Sequence, residues 1–398
     1  MQSICKQKSN YIEIILVNDG SYDGSLKIVK RFKKKFKYIK LIDNKKNCGV
    51  SISRNKGIEK AKGDYIFFID SDDKLIGNTL NKIIFFLNKN KKIDVFSIRS
   101  RLINSNKIDK NQIFQSSINT NPLSVIKDFN KFRATCWNFI VKKSFLDKEK
   151  ITFKNIRVFE DQAFVTSVLC EVKNLRLIKY PIYERRLSEI NTLGRKTGFI
   201  IIKSCINLIN EIEKIHNTNV LKNDQIKKKF LISRVNFILG QLLDNILICS
   251  NSEIKKIKKP LIDNYKFLKK LDNKNKFIKF TKKIDSYKIK KVNELKKKIL
   301  NRNKVVIFCA GAYSDIIIKI CKKLSIKIHV IIDNNLNYND QKLSNIAIKH
   351  PSMINLTFFK ENQFLILVCN KNINDYKKIR LQLINMRVKK KYIVHLNI

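Results

Sequence analysis

The chain has 398 residues and a formal net charge of +50, from 83 Lys and Arg against 33 Asp and Glu. That length suits two or three domains with real cores; no apolar run approaches the roughly 18 residues of a membrane-spanning helix, and Met1 to Lys6 lack the apolar stretch of a signal peptide. The nine cysteines are scattered without a C-x-x-C pair, which removes the zinc-ribbon and thioredoxin readings and leaves reduced thiols in a cytoplasmic protein as the expectation.

Residues 11–19 carry Ile12, Ile14, Ile15, Leu16 and Val17 and then break at Asn18-Asp19-Gly20-Ser21, a strand followed by a turn. Leu26, Ile28, Val29, Phe32 and Phe36 have helical spacing over residues 23–36, with a lysine-rich outer face. A short strand over residues 38–42, a loop at 47–50 and a helix over 51–62 stopped by Gly63 come next. Tyr65-Ile66-Phe67-Phe68-Ile69 then reads as a buried strand of a parallel sheet, and it ends abruptly in Asp70-Ser71-Asp72-Asp73. The order β-α-β-α-β predicts half of a doubly wound sheet with Asp19 and Asp70 on one rim, at carboxyl ends of strands where ligands bind. Asp70 and Asp72, two positions apart, would point the same way in extended chain, and two converging carboxylates require a cation or several donors between them. The plain alternative is that Asp72 or Asp73 caps the next helix.

A helix over residues 78–88 and a strand over 94–99 precede an Asn/Ser-rich stretch, 102–121, that reads as loop. Trp137, the only tryptophan, lies in an apolar segment and is expected in the core. Glu160-Asp161 opens a helix, and Asp161 is either a helix cap or a general base. No histidine occurs before His216, so a base in this first part is a carboxylate, Lys, Tyr or Cys. A strand near residues 177–182 leads to Tyr183-Glu184-Arg185-Arg186, whose arginines could clamp phosphate oxygens or solvate a loop. Residues 199–215 and 225–248 have helical periodicity. Lysine becomes dense between Lys255 and Lys304 with apolar residues threaded through, the pattern of a basic amphipathic helix that suits anionic lipid or packing on its own domains. A specific nucleic-acid binder would carry stacking aromatics on a known fold, and none is legible. From Lys304 a second α/β unit follows: strand 305–308, helix to about residue 324, strand 326–332 ending at Asp333, a strand at 364–368, a helix at 374–385 and a strand at 392–394. The G-x-G-x-x-G positions of a dinucleotide site hold Cys309, Gly311 and Ser314, so fold support exceeds support for NAD.

With Ile14 to Ser21, Asn47 to Asn55, Gly63 to Asp73, Trp137-Asn138 and Glu160-Asp161 in this order, the first half resembles family 2 glycosyltransferases, inverting enzymes with the nucleotide-diphospho-sugar (GT-A) fold. The resemblance implies that Asp19 contacts the nucleotide base, Arg54 the nucleotide portion of the donor and Asp70 its ribose side. It further implies that Asp72, with Asp70, ligates Mg²⁺ or Mn²⁺ on the diphosphate, and that Asp161 is the base. Three divisions are expected: a glycosyltransferase domain with a parallel-type sheet at residues 1–195, a basic helical region at 196–302 and a small Rossmann-like α/β domain at 303–398. The expected function is transfer of a sugar from a nucleotide-diphospho-sugar donor to a saccharide or lipid-linked acceptor in bacterial surface polysaccharide synthesis, in the cytoplasm or on the inner face of the cytoplasmic membrane. The alternative is a non-catalytic nucleotide-binding or scaffolding chain. Family members open with a strand and helix before the strand at 12–17; Met1 to Cys5 aligns with the end of that helix, so an N-terminally truncated domain is expected, with one neighbour of that strand missing.

Overall fold

The computed structural model describes residues 1–7, 9–102, 122–186, 198–218, 224–271, 284–299, 305–309, 312–354, 364–369, 373–386 and 388–396. The loop expected at 102–121, apart from Leu102, and Gly311 lie outside the described residues. Two compact units divide the chain, Met1–Leu187 with Asn207–Phe237, and Ser188–Ile206 with Ile238–Ile398. No disulfide joins any of the nine cysteines, and among the described residues no helix is long and apolar enough to cross a membrane.

The first unit opens with α1 (Gln2–Cys5), β1 (Ile14–Asp19), α2 (Ser25–Lys35), β2 (Ile39–Asn44) and α3 (Val50–Lys60). β1 and β2 pair in parallel, from Ile14 opposite Ile39 to Asp19 opposite Asn44, and make a two-stranded sheet of their own. Next come β3 (Tyr65–Phe67), β4 (Lys74–Leu75), α4 (Leu80–Lys89), β5 (Val95–Leu102), β6 (Phe139–Lys142), α5 (Lys143–Lys148), α6 (Glu160–Glu171) and β7 (Leu175–Arg185). They build a second sheet in the order β3-β6-β5-β7-β4. This sheet is mixed: β5 and β7 run parallel, while β3 and β5 are both antiparallel to β6, and β4 to β7. The expected buried strand at 65–69 is therefore a three-residue, half-buried edge strand, and it joins a different sheet from β1. The central place of β5 follows from its sequence: Val95, Phe96, Ser97 and Ile98 are all fully buried, the unbroken run of a strand covered on both faces.

The helix-cap reading of the acidic loop is not what the structure shows. α4 starts after Thr79, and the amides of Thr79 and Leu80 donate to the Gln7 side chain at 2.9 Å each. Gln7, just beyond α1, thus supplies the acceptor that the N-terminus of α4 needs. α7 (Phe199–Asn217) and α8 (Gln225–Ile246) contribute residues to both units.

In the second unit α9 (Asn251–Leu271) and α10 (Ile284–Ile299) precede β8 (Val305–Phe308), α11 (Ala312–Lys323), β9 (Ile328–Ile332), β10 (Lys342–Leu343), β11 (Ile346–Lys349), β12 (Leu365–Val368), α12 (Ile373–Asn385) and β13 (Ile393–His395). α9 buries Ile254, Ile257, Leu261 and Leu268 while Lys255, Lys256, Lys259 and Lys270 face solvent, as its periodicity predicts. The sheet order is β10-β11-β9-β8-β12-β13, parallel from β11 to β13, which is a doubly wound arrangement. Alternation along β8 sends Val305 and Ile307 into one core with Ile316 and Ile317, and Val306 and Phe308 into the other with Ile379 and Leu383. Cys309, at the first glycine position of the dinucleotide motif, keeps a glycine-like backbone with φ +83°.

Candidate functional site

The loop after β1 brings Asp19 against the entry to α3. Its carboxylate accepts from the amides of Cys48 at 2.8 Å and Gly49 at 2.9 Å, and from Asn44 Nδ2 at 3.2 Å. Gly49 precedes α3 with φ +92°, a conformation that suits glycine. Burial works against ionisation of Asp19, but the donors from Cys48, Asn44, Ser53 and Gly49 outweigh it and hold the carboxyl below its ordinary range.

One helical turn further on, Arg54 is the hub of the site. Its guanidinium reaches Glu160 Oε1 at 2.8 Å and Asp161 Oδ1 at 2.5 Å through Nη1, and Asp70 Oδ1 at 3.1 Å through Nη2. Three elements distant in sequence meet there: α3, the loop after β3 and the first turn of α6. The guanidinium also lies 5.2 Å over the ring of Phe153, which stacks on Phe164 at 4.1 Å, while Phe68 meets both rings edge-on. A planar cation seated on an aromatic face and forked between carboxylates is a role that lysine would not fill.

The acids outnumber their cation. Burial, only partly offset by Arg54 and reinforced by Asp161, Asp73 and Asp72, pushes the Asp70 carboxyl up to about 6. Burial and the neighbouring Asp161 likewise push Glu160 up, against the pull of Arg54. For Arg54 burial alone would disfavour the charge; the carboxylates of Asp161, Asp70 and Glu160 outweigh it and keep the guanidinium charged. Glu160 and Asp161 sit at the N-terminus of α6, where the macrodipole favours negative charge. Phe159 before them is held at φ +74°, a strained conformation for a bulky residue, and its ring packs edge-on against Phe237.

The five expected site residues thus fall in three places. Arg54, Asp70 and Asp161 converge; Asp19 stands one turn away and braces α3. Asp72 is exposed beyond the convergence, on the turn between Asp70 and Asp73. Trp137 belongs to the core, as expected, stacked on Tyr183 at 4.8 Å with an interplanar angle of 7°. Three residues that sequence reasoning did not place there also shape the site, namely Asp73, Tyr183 and Glu160 as a direct partner of Arg54; Arg234 of α8 reaches only Gln162, beside Asp161, at 3.4 Å. Arg234 is buried, donates to the carbonyls of Phe129 and Phe132 and lies over the rings of Phe132 and Phe230. Only Glu160 carried a signal, its place beside Asp161.

Carboxylates from two separate stretches of the chain thus gather on one arginine beside a mixed α/β sheet. The model of Glycosyl transferase family 2 matches residues 1–149. The chain is 30% identical over 238 residues to the poly(ribitol-phosphate) beta-N-acetylglucosaminyltransferase TarP of Staphylococcus aureus, covering 55% of this chain and 67% of that one. It is 27% identical over 244 residues to the cholesterol galactosyltransferase of Borreliella burgdorferi, covering 57% of this chain and 66% of the relative. It therefore spans about two thirds of the length of each of these relatives. The fold is also that of S. aureus TarS residues 1–349, solved with UDP-GlcNAc, at a TM-score of 0.59 and 19% identity over 75% of this chain and 86% of the other. This chain belongs to family 2 of the glycosyltransferases.

Proposed function

We propose that this chain moves a sugar, with inversion, from a nucleotide-diphospho-sugar to a hydroxyl of a saccharide or lipid-linked acceptor during synthesis of a cell-surface polymer. The observation that carries this reading is the convergence of Asp70, Glu160 and Asp161 on Arg54. The TarS crystal structures with UDP and UDP-GlcNAc support a uridine diphospho-sugar as the donor class, and the TarP relative supports a surface polymer as the acceptor class. The +50 charge supports work against an anionic surface such as a membrane face.

A divalent cation is part of the proposal. Among the described residues no three His, Cys, Asp or Glu side chains are grouped to hold one unaided. Mg²⁺ and Mn²⁺ in nucleotide sites, however, are commonly held by one or two carboxylates while phosphate oxygens and water complete the shell. Exposed Asp72, with Asp70 beside it, offers such hard oxygen donors. When bound, the cation neutralises charge on the departing diphosphate.

In the reaction the acceptor oxygen attacks the anomeric carbon as the bond to the diphosphate breaks, and a single displacement inverts the centre. Asp161 takes the hydroxyl proton, and the nucleoside diphosphate leaves. Arg54 orients Asp161 through its 2.5 Å ion pair and ties it to the Asp70 side of the site. Asp19 binds the nucleotide base side by the same reading. The test is Asp161→Asn: UDP-sugar binding by calorimetry is expected within about threefold of the unsubstituted chain, and transfer reduced by about 10²–10⁴-fold. Loss of donor binding would instead mark Asp161 as a structural residue. Donor binding by the unsubstituted chain without any turnover would make it a nucleotide-binding protein rather than an enzyme.

A further inference from the structure

The acidic turn after β3 is closed by a side chain 110 residues away in sequence. Within the turn, the Asp73 N–H donates to the Asp70 carbonyl at 3.1 Å. Both ends of the turn then meet one hydroxyl: Tyr183 Oη accepts from the Asp70 N–H at 3.2 Å and donates to Asp73 Oδ2 at 2.6 Å. The other oxygen of Asp73 accepts from the Arg186 N–H at 2.7 Å. A phenol has one proton to give and lone pairs to receive with, so this bridge uses both capacities at once.

The ring behind that hydroxyl is closely packed. Tyr183 is fully buried in β7, opposite Leu75 of β4, stacked on Trp137 and tilted against Phe67 at 6.1 Å. Asp72 sits between the two clamped residues and is itself exposed. The three acids of the loop therefore take different roles. Asp70 faces Arg54, Asp72 faces outward, and Asp73 is the buried strut that anchors both.

We propose that Tyr183 is a positioning residue, which clamps the turn at residues 70–73 and so sets the direction in which Asp72 and Asp70 present their carboxylates to a metal-bound diphosphate. This rests on the reading of Asp72 as a metal ligand given above. Partners that orient a ligand in this way are worth about 10–100-fold in metal affinity.

Tyr183→Phe removes the hydroxyl and keeps the ring stack. Hydrogen exchange at residue resolution is expected to show the Asp70 amide exchanging about tenfold faster, the loss of one hydrogen bond, with Ile98 of β5 unchanged. Mn²⁺ binding in the presence of UDP, by calorimetry, is expected to weaken about tenfold or more. Asp73→Ala should reproduce both changes from the other end of the bridge, and it serves should Tyr183→Phe not fold. Unchanged exchange at Asp70 in the folded variant overturns the clamp. Faster exchange with unchanged Mn²⁺ affinity, where Asp72→Asn abolishes that affinity, overturns the positioning role alone. Mn²⁺ affinity that is absent in the unsubstituted chain, or indifferent to Asp72→Asn, overturns the metal reading and the positioning role with it, while the exchange result still reports the bridge.

Discussion

Arg54 stands against three carboxylates, and that imbalance governs the chemistry of single residues in the site. Asp70, raised to about 6, resists ionisation in the folded state more than in the unfolded chain. Between the ordinary carboxylate range and about pH 6 the folded state therefore holds more protons, so this group's contribution to stability falls as pH rises through that window and is flat above it. Asp70→Asn is accordingly expected to raise the melting temperature at pH 7.5 and to have little effect at pH 3.5, by scanning calorimetry without metal or nucleotide. A variant equally destabilised at both pH values would contradict the raised pKa. Arg54→Met leaves three acids facing one another in a largely buried place, and should cost about 3–5 kcal/mol at neutral pH by urea denaturation. Asp19, Asp70, Asp72 and Asp161 were legible as candidates from residue type and position, and Arg54 only through the family resemblance. Asp73 and Tyr183 were not, because their roles exist only through the bond between them.

Among the elements, the connection from β1 to α2 is the most constrained. Gly20 has φ +68°, and a Cβ there would come within 2.6 Å of the backbone of Lys46 and Asn47. Those residues lead into the amides that Asp19 holds. Gly20→Ala should cost about 1–3 kcal/mol from its dihedral angle alone and more from the clash, read as a lowered urea midpoint with donor affinity falling alongside. Helix positions followed from the sequence within a few residues, since their apolar spacing and stops are local. Strand partnership did not. The alternation β-α-β-α-β predicted one parallel sheet, yet β3 pairs antiparallel with β6, a strand more than seventy residues on that no local pattern connects to it.

For the whole molecule, charge is the leading property. On α2, Lys27, Lys30, Arg31 and Lys34 line one exposed face, and among the described residues none of them is in an ion pair with an acid. Association with anionic vesicles is expected to be strong at low salt and to fall steeply between about 50 and 200 mM. Replacing these four by Gln should weaken it more than replacing Lys255, Lys256, Lys259 and Lys270 on α9; equal losses would mean that net charge alone is responsible. DNA binding should be weak and indifferent to sequence.

What the sequence by itself determined is most of the longer elements, though not β4, β6, α5, β10 or β11, together with the strand-helix alternation that opens the second unit and the acids that end β1 and begin α6. Those depend on periodicity and turn chemistry within a few residues of each other. What only the tertiary structure decided is which of these groups meet. Arg54 finds Glu160 and Asp161 across more than a hundred residues, and Tyr183 closes the acidic turn from a strand equally remote. Side chains so far apart in sequence are brought into hydrogen-bond range by the packing of sheets and helices, which no local pattern encodes.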